Sequence, residues 1–189
     1  DSLGHDVGDL LLGEAARRLE ACIRKADSIY RLGGDEFTVI VNGCHDDLNA
    51  LHLCEKIIET LKLPFLIQGN WIHIGASIGI ARHPLDGESA DELTKSADTA
   101  MYAAKASGRN RSCFFSKSLG EKVATQLNLR AQIEQGLRRG EFLVHLQPEM
   151  NLLTGEVIAM EALARWQHPS RGLVGPEDFI SVAEEFGLI

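Results

Sequence analysis

Two β-rich runs, Ile29-Tyr30-Arg31 and Phe37-Thr38-Val39-Ile40-Val41, stand on either side of Gly33-Gly34. Such runs parted by a glycine pair predict a tight hairpin, because glycine takes positive φ at turn positions without steric cost. A helix is predicted on each side of it. From Val7 to Ala26, apolar residues recur at Val7, Leu11, Ala15, Leu19 and Ile23, with Asp6 as N-cap. From Asp46 or Asp47 to Lys62, the inward positions are Leu51, Ile57, Ile58 and Leu61, and Pro64 ends the helix. This patterning specifies an α/β protein.

The alternation continues. A second hairpin is predicted at Gly69-Asn70. It leads into a half-buried strand from Trp71 to Ala81, where Ile72, Ile74, Ala76, Ile78 and Ile80 keep a period of two. A third helix is predicted from about Ala90 to Ser107, with Leu93, Ala97, Ala100, Met101 and Ala104 inward and Gly108 as its stop. Ser112 to Phe115 reads as a last strand, and residues 116–120 as a linker. Beyond it come a helix over about Glu121 to Arg139 and strands Phe142 to Gln147 and Val157 to Arg165. A helix opened by Pro176 then runs to about Phe186. The chain therefore divides into 1–115 and 121–189. The second stretch is far shorter than the roughly 250 residues of a closed (β/α)8 barrel.

Composition narrows the function. The formal net charge of -8 argues against a general nucleic-acid binder, which needs a broad basic face. A small phosphorylated ligand remains open, since a local basic cluster suffices. No run reaches the ~18 apolar residues of a membrane span. No basic-then-apolar leader opens the chain, and both ends read as cut from something longer. The four cysteines form no CxxC pair and do not cluster with the seven histidines. They read as buried or half-buried thiols in a reducing compartment.

Several positions carry candidate chemistry. Asp35 and Glu36 follow the glycine pair directly. Hard oxygen ligands of this kind suit Mg²⁺, which commonly bridges a couple of carboxylates and a nucleotide's phosphates. Taken alone, the same string also describes a hairpin with a solvated tip. Lys105 and Arg109, four apart at a helix end, would share one face and could hold a polyphosphate; a solvated helix end is the plain alternative. Arg24 and Asp27, three apart, would share a face near a helix end, and a surface ion pair is their plain alternative. Glu161 is expected at the end of a strand, with Gln147 near the end of the preceding one.

The wider strings are more specific. Arg31-Leu32-Gly33-Gly34-Asp35-Glu36-Phe37 resembles, unaltered, the signature of the GGDEF family of bacterial diguanylate cyclases. Gly4-His5-Asp6-Val7-Gly8-Asp9 is similar to that family's helix-opening motif. The segment Ala97-Asp98-Thr99-Ala100-Met101-Tyr102 through Lys105 to Gly108-Arg109-Asn110 is similar to its downstream motif. From about residue 125 the chain resembles the opening of EAL-family cyclic di-GMP phosphodiesterases. The matching stretches are Phe142 to Pro148, Glu161-Ala162-Leu163-Ala164-Arg165-Trp166, His168-Pro169, Gly172-Leu173 and Gly187-Leu188-Ile189.

What the resemblance implies is definite. The fold would be a partial GGDEF (nucleotidyl-cyclase-like) α/β sandwich lacking its first strand and helix, followed by the first units of an EAL barrel. Two GTP molecules would be joined into cyclic di-GMP with release of pyrophosphate. Asp35 would supply a metal carboxylate and act as base toward the attacking 3′-hydroxyl, with Glu36 supporting the metal. His5 and Asp9 would contact the nucleotide beside Gly33 and Gly34, and Lys105 and Arg109 its phosphates. Arg24 and Asp27 would form a product-inhibition site. In the second part, Glu161 would be a metal ligand, and Gln147, Leu163 and Arg165 would lie along a cyclic di-GMP that is hydrolysed to linear pGpG. The implied cofactor is Mg²⁺ or Mn²⁺. The implied partners are GTP, cyclic di-GMP and a second copy of the cyclase domain. The implied location is the cytoplasm, with any membrane anchor in segments outside this sequence. The family's remaining metal ligands fall outside residues 1–189, so this stretch alone is expected to be inactive and its second part to fold poorly in isolation. A non-catalytic module that binds GTP or cyclic di-GMP is the alternative.

Overall fold

The computed structural model describes residues 5–44 and 46–189, with His5 described by its backbone only. The chain divides into two compact units, Asp1–Gly120 and Glu121–Ile189.

In the first unit, helix α1 spans His5–Cys22 and leads into the antiparallel hairpin of β1 (Ser28–Gly33) and β2 (Glu36–Ile40). Helix α2 (Asp47–Lys62) follows, with Asp46 as its N-cap: the carboxylate accepts from Leu48 N–H. Such a cap contributes about 1 kcal/mol. Leu63 then turns extended ahead of Pro64, which ends the helix as expected. The inward face of α2 is Cys54, Ile57, Ile58 and Leu61. Ile57 and Leu61 meet Val7, Ala15, Leu19 and Cys22 of α1, together with Phe65 and Ile67. This cluster is the unit's main core.

The hairpin of β3 (Phe65–Ile67) and β4 (Asn70–Ile72) turns at Gln68-Gly69, both at positive φ (48° and 81°). The turn thus lies one residue earlier than the Gly69-Asn70 expected. The long strand expected from Trp71 to Ala81 is interrupted. Only β4 and β5 (Ile78–Ile80) carry ladder hydrogen bonds, and residues 73–77 carry none. The alternation nevertheless survives. Ile72, Ile74, Ala76 and Ile78 all pack against the core cluster, while Trp71, His73 and Gly75 are exposed. Burial depends on which way a side chain points. A ladder needs a partner strand alongside as well, so one can persist without the other.

Helix α3 (Ala90–Ala106) starts with a capping box: Ser89 Oγ accepts from Glu92 N–H, and the Glu92 carboxylate accepts from the Ser89 and Glu88 N–H groups. Those donors hold Glu92 below the usual glutamate range. The helix lies on β5, which pairs in parallel with β6 (Ser112–Phe114). Gly79 permits the close approach, because a side chain there would strike the α3 backbone at Ala97 and Met101. Arg82 ties this layer together. Its guanidinium donates to Asp86, to Asp47 at the start of α2 and to the Phe115 carbonyl, and it stacks over Phe114.

Helix α4 spans Lys117–Arg139. Residues 117–120, expected as linker, are therefore helical. Ser116 explains the earlier start, because its hydroxyl accepts from Leu119 N–H and its carbonyl from Gly120 N–H.

The second unit is built on β7 (Phe142–Met150) and β8 (Val157–His168), antiparallel, with β9 (Gly172–Val174) on the far edge of β8. Both long strands outrun the lengths expected, and β9 was not expected at all. The turn into β9 is held by His168, whose Nδ1 accepts from Ser170 N–H and Arg171 N–H. Its Nε2 therefore carries the proton and donates to Gln132 Oε1. The helix expected from Pro176 is a short 3₁₀ turn (Pro176–Asp178) followed by α5 (Ile180–Glu185). The core joins Ile133 of α4 to Trp166, Val174, Phe179, Val182 and Ala183. Trp166 is 1% exposed and donates Nε1–H to Glu141. Gly136 lets α4 press onto it. The rest of the ribbon is bare, with Val144, Leu146, Ile158 and Met160 exposed and Leu152 and Leu153 at its tip almost fully so. A closed, parallel barrel is not seen in these residues; their main pairing is antiparallel.

Candidate functional site

The first candidate site is the β1–β2 turn. Gly33 pairs with Glu36, so the two turn residues are Gly34 and Asp35 rather than the glycine pair itself. Gly34 has φ 52°, whereas Gly33 is in the strand with no positive φ. The cause is a bulge: Arg31 pairs with Phe37 and Gly33 with Glu36, which leaves Leu32 as the extra residue. Arg31 Nε donates to the Gly34 carbonyl at 2.9 Å and latches the turn from below. Asp35 and Glu36 stand side by side, exposed, and neither carboxylate makes a hydrogen bond or ion pair to the described residues.

Beside this hairpin, a cavity of about 420 Å³ lies against α1. Asp9, Leu12 and Gly13 line one side, and Ile29, Arg31 and Phe37 the other. Asp9 is therefore brought to the hairpin, as a ligand-contacting residue requires. His5 opens α1, but its side chain lies outside the described residues. Lys105 and Arg109 do not line the cavity. They also do not share a helical face. Helix α3 stops at Ala106, and Gly108, Arg109 and Asn110 all take positive φ (111°, 59° and 48°). The i, i+4 expectation fails because Gly108 ends the helix between the two cations.

The Arg24–Asp27 expectation also changes. Helix α1 ends at Cys22, so the two residues share a turn rather than a helix face. The Asp27 carboxylate accepts from Arg24 N–H and Asn42 N–H, fastening the turn to the end of β2. The Arg24 side chain is left exposed.

The second candidate site is a face of the β7–β8 ribbon. Glu161 pairs directly with Gln147, Leu163 with His145, and Arg165 with Leu143. Residues two apart on a strand share a face, and opposite residues sit roughly 5 Å apart. Gln147, Glu161, Leu163 and Arg165 therefore line one face together, with His145 and Leu143 among them. Glu161 lies in mid-strand, not at a strand end as expected, because β8 runs on to His168. Leu163 and Arg165 continue into a shallow cavity of about 250 Å³ with Leu173, Gly175, Pro176 and Glu177. Sequence reasoning missed His145 and Leu143, which only the cross-strand register reveals. It also missed Arg31 as a latch, although its place two residues before Gly33 was a usable signal.

Among the described residues, no cluster of three or more histidines, cysteines or carboxylates could cage a metal. Two adjacent exposed carboxylates still fit Mg²⁺, which is usually held by one or two carboxylates together with substrate phosphates and water. Of the cysteines, Cys22 and Cys54 are buried and Cys113 half-buried, but Cys44 is exposed, contrary to expectation. No helix is long and apolar enough to cross a membrane, among the described residues.

Two family models match separate parts of the chain. The family described as "Diguanylate cyclase, GGDEF domain" matches residues 1–111, and the EAL domain family matches residues 130–189. A bifunctional diguanylate cyclase/cyclic di-GMP phosphodiesterase, MucR of Pseudomonas aeruginosa, is 43% identical over the whole chain. The cyclic di-GMP phosphodiesterase PdeR of Escherichia coli is 38% identical, also over the whole chain. The chain spans 27% and 28% of these two relatives, about a quarter of their length. Among solved structures, an EAL/GGDEF domain protein from M. capsulatus is 47% identical, with TM-score 0.59 over 61% of this chain and 75% of that one. A GGDEF domain from Pseudomonas aeruginosa (TpbB or YfiN) is 31% identical, with TM-score 0.62 over 66% of this chain and 73% of that one. The chain belongs to the GGDEF family of diguanylate cyclase domains, joined in tandem to the start of an EAL domain.

Proposed function

We propose that these residues serve cyclic di-GMP turnover: synthesis from two GTP at the hairpin site and hydrolysis to pGpG at the ribbon site. The observation that carries the reading is the exposed Asp35–Glu36 pair on a turn latched by Arg31, which with Asp9 of α1 lines the cavity beside the same hairpin. Its counterpart is Glu161 placed with Gln147, Leu163 and Arg165 on one face. In the first site, Asp35 accepts the proton of the attacking 3′-hydroxyl, and Asp9 reads the guanine edge from α1. His5, Gly33 and Gly34 border the nucleotide, and Lys105 and Arg109 meet its phosphates. Asp35 and Glu36 would hold Mg²⁺ or Mn²⁺ together with the phosphates. The ion neutralises their charge when bound. In the second site, Glu161 is the ligand of the same kind of ion, and Arg165 pairs with a phosphate of the dinucleotide.

Synthesis joins two nucleotides, so two copies of the first unit act face to face. The decisive experiment incubates the full-length protein with GTP and, separately, with cyclic di-GMP, each with Mg²⁺ or Mn²⁺. Chromatography should show cyclic di-GMP in the first case and pGpG in the second. Absence of both products defeats the reading.

A second reading is regulatory. Arg24 projects from a turn that Asp27 holds rigid, which suits product binding. Arg24→Ala should weaken cyclic di-GMP binding in calorimetry at least tenfold; unchanged affinity sinks it.

A further inference from the structure

Three consecutive residues, Gly108, Arg109 and Asn110, take left-handed backbone conformations. For glycine this is ordinary. For Arg109 it is costly, because Cβ crowds the backbone, and less so for Asn110, whose short amide side chain tolerates this region; a residue such as Arg109 persists there only where the surroundings fix it. Several contacts do the fixing. Arg109 N–H donates to the Ala104 carbonyl and Gly108 N–H to that of Lys105. Arg111 folds back, its Nε donating to the Arg109 carbonyl and its guanidinium lying over Gly108.

The remaining contact comes from elsewhere in the sequence. The Asn110 side chain lies directly on Gly75, in the ladder-free segment before β5. A Cβ at position 75 would fall inside the Asn110 amide, with Oδ1, Cγ and Nδ2 all too close. Any side chain at 75 would force the Asn110 amide to move. Gly75 is exposed and has no positive φ of its own, so the turn chemistry of its own backbone does not call for glycine. The demand comes from Asn110.

We propose that Gly75 and Asn110 form a lock that holds the loop left-handed and thereby aims Arg109 at the nucleotide's phosphates. Asn110 and Gly75 are positioning residues, and they act through Arg109. The inference rests on the reading above that Arg109 meets a phosphate.

The test is a set of variants in the full-length protein: Arg109→Ala, Asn110→Gly, Gly75→Ala and the Asn110→Gly/Arg109→Ala double. GTP affinity is read by calorimetry, and KM and kcat from cyclic di-GMP formation. Asn110→Gly keeps positive φ accessible, so it guards against a Gly75→Ala protein that merely misfolds. Arg109→Ala should weaken GTP binding and raise KM about tenfold with kcat little changed, as lost phosphate binding does. Asn110→Gly and Gly75→Ala should each raise KM about threefold to tenfold. The double variant should be no worse than Arg109→Ala, since a lock without its Arg has nothing to aim. If Arg109→Ala leaves affinity unchanged, the phosphate reading falls and the proposal with it. If Arg109→Ala is impaired while Asn110→Gly is normal, or if the two effects simply add, the lock alone is overturned.

Discussion

The two candidate sites display their carboxylates in opposite ways. Asp35 and Glu36 owe their exposure to a two-residue turn, in which a bulge, one left-handed glycine and the Arg31 latch do all the work within seven residues. Glu161 sits in the middle of a twelve-residue strand. Its neighbours Gln147 and His145 reach it only through antiparallel register. A turn carries its geometry locally. A ribbon assembles its face across sequence distance, and one step of slip would send every side chain to the other side.

The sharpest way to break this comparison is to disable each site separately. Asp35→Asn should cut cyclic di-GMP synthesis by on the order of a thousandfold and leave hydrolysis intact, while Glu161→Gln should do the reverse. Product analysis of both reactions for both variants checks it. A single variant that abolishes both activities would show that the sites are not chemically separate.

The ribbon should depend on its core more than the turn does. Trp166 faces away from Arg165, into the cluster of Ile133, Val174, Phe179 and Val182. Trp166→Ala should destabilise the second unit by about 3–5 kcal/mol. Rapid proteolysis beyond residue 120 would report it. The wild-type protein should already be sensitive there if residues 121–189 are isolated, because Val144, Leu146, Ile158 and Met160 are bare.

Glycine substitution tests the turn. Gly34→Ala places a Cβ at φ 52° and should cost about 1–2 kcal/mol. Gly33→Ala meets no atom within 4 Å at an ordinary φ and should stay within about 0.5 kcal/mol of the parent. Thermal unfolding of both variants measures the contrast, and equal costs would return the turn to the glycine pair.

The smallest effect is a titration. Burial, with Cys44 and Glu55 nearby, pushes the Cys54 thiol up to about 11 from 9.0. The folded state therefore holds its proton more tightly than the unfolded one. This contribution is complete below about pH 9 and disappears as pH rises toward about 11. At neutral pH, alkylation should reach exposed Cys44 well before Cys54.

Much of the fold was legible in the sequence because its signals are local. Asp46 marks a helix start through its own carboxylate, and Pro64 and Gly108 mark helix ends through their backbone geometry. The apolar stripes of α1, α2 and α3 state which faces go inward. Four expectations failed, two through local bonds and pairing that the apolar pattern does not show, and two through segments further off. Ser116 started α4 early. Asp27 reached Asn42 and made a turn of a supposed helix face. Leu32 bulged and moved the turn by one residue. Residues 73–77 kept their alternation without a ladder.

What the sequence by itself determined is which residues are candidates for chemistry: the adjacent Asp35 and Glu36, the cations Lys105 and Arg109, and Glu161 with its neighbours. These follow from residue type, short spacing and the resemblance to the GGDEF and EAL motifs. What only the tertiary structure decided is where those residues point. Asp9 comes to the hairpin's side because Ile29 and Phe37 pack on the cluster that α1 helps to build, and Glu161 faces Gln147 because β7 and β8 pair in one register. Arg109 leaves the helix on a loop whose backbone is set by Asn110 against a glycine 35 positions earlier. Residue type fixes what a group can do. Packing between distant segments fixes what it can reach, and no local signal encodes that.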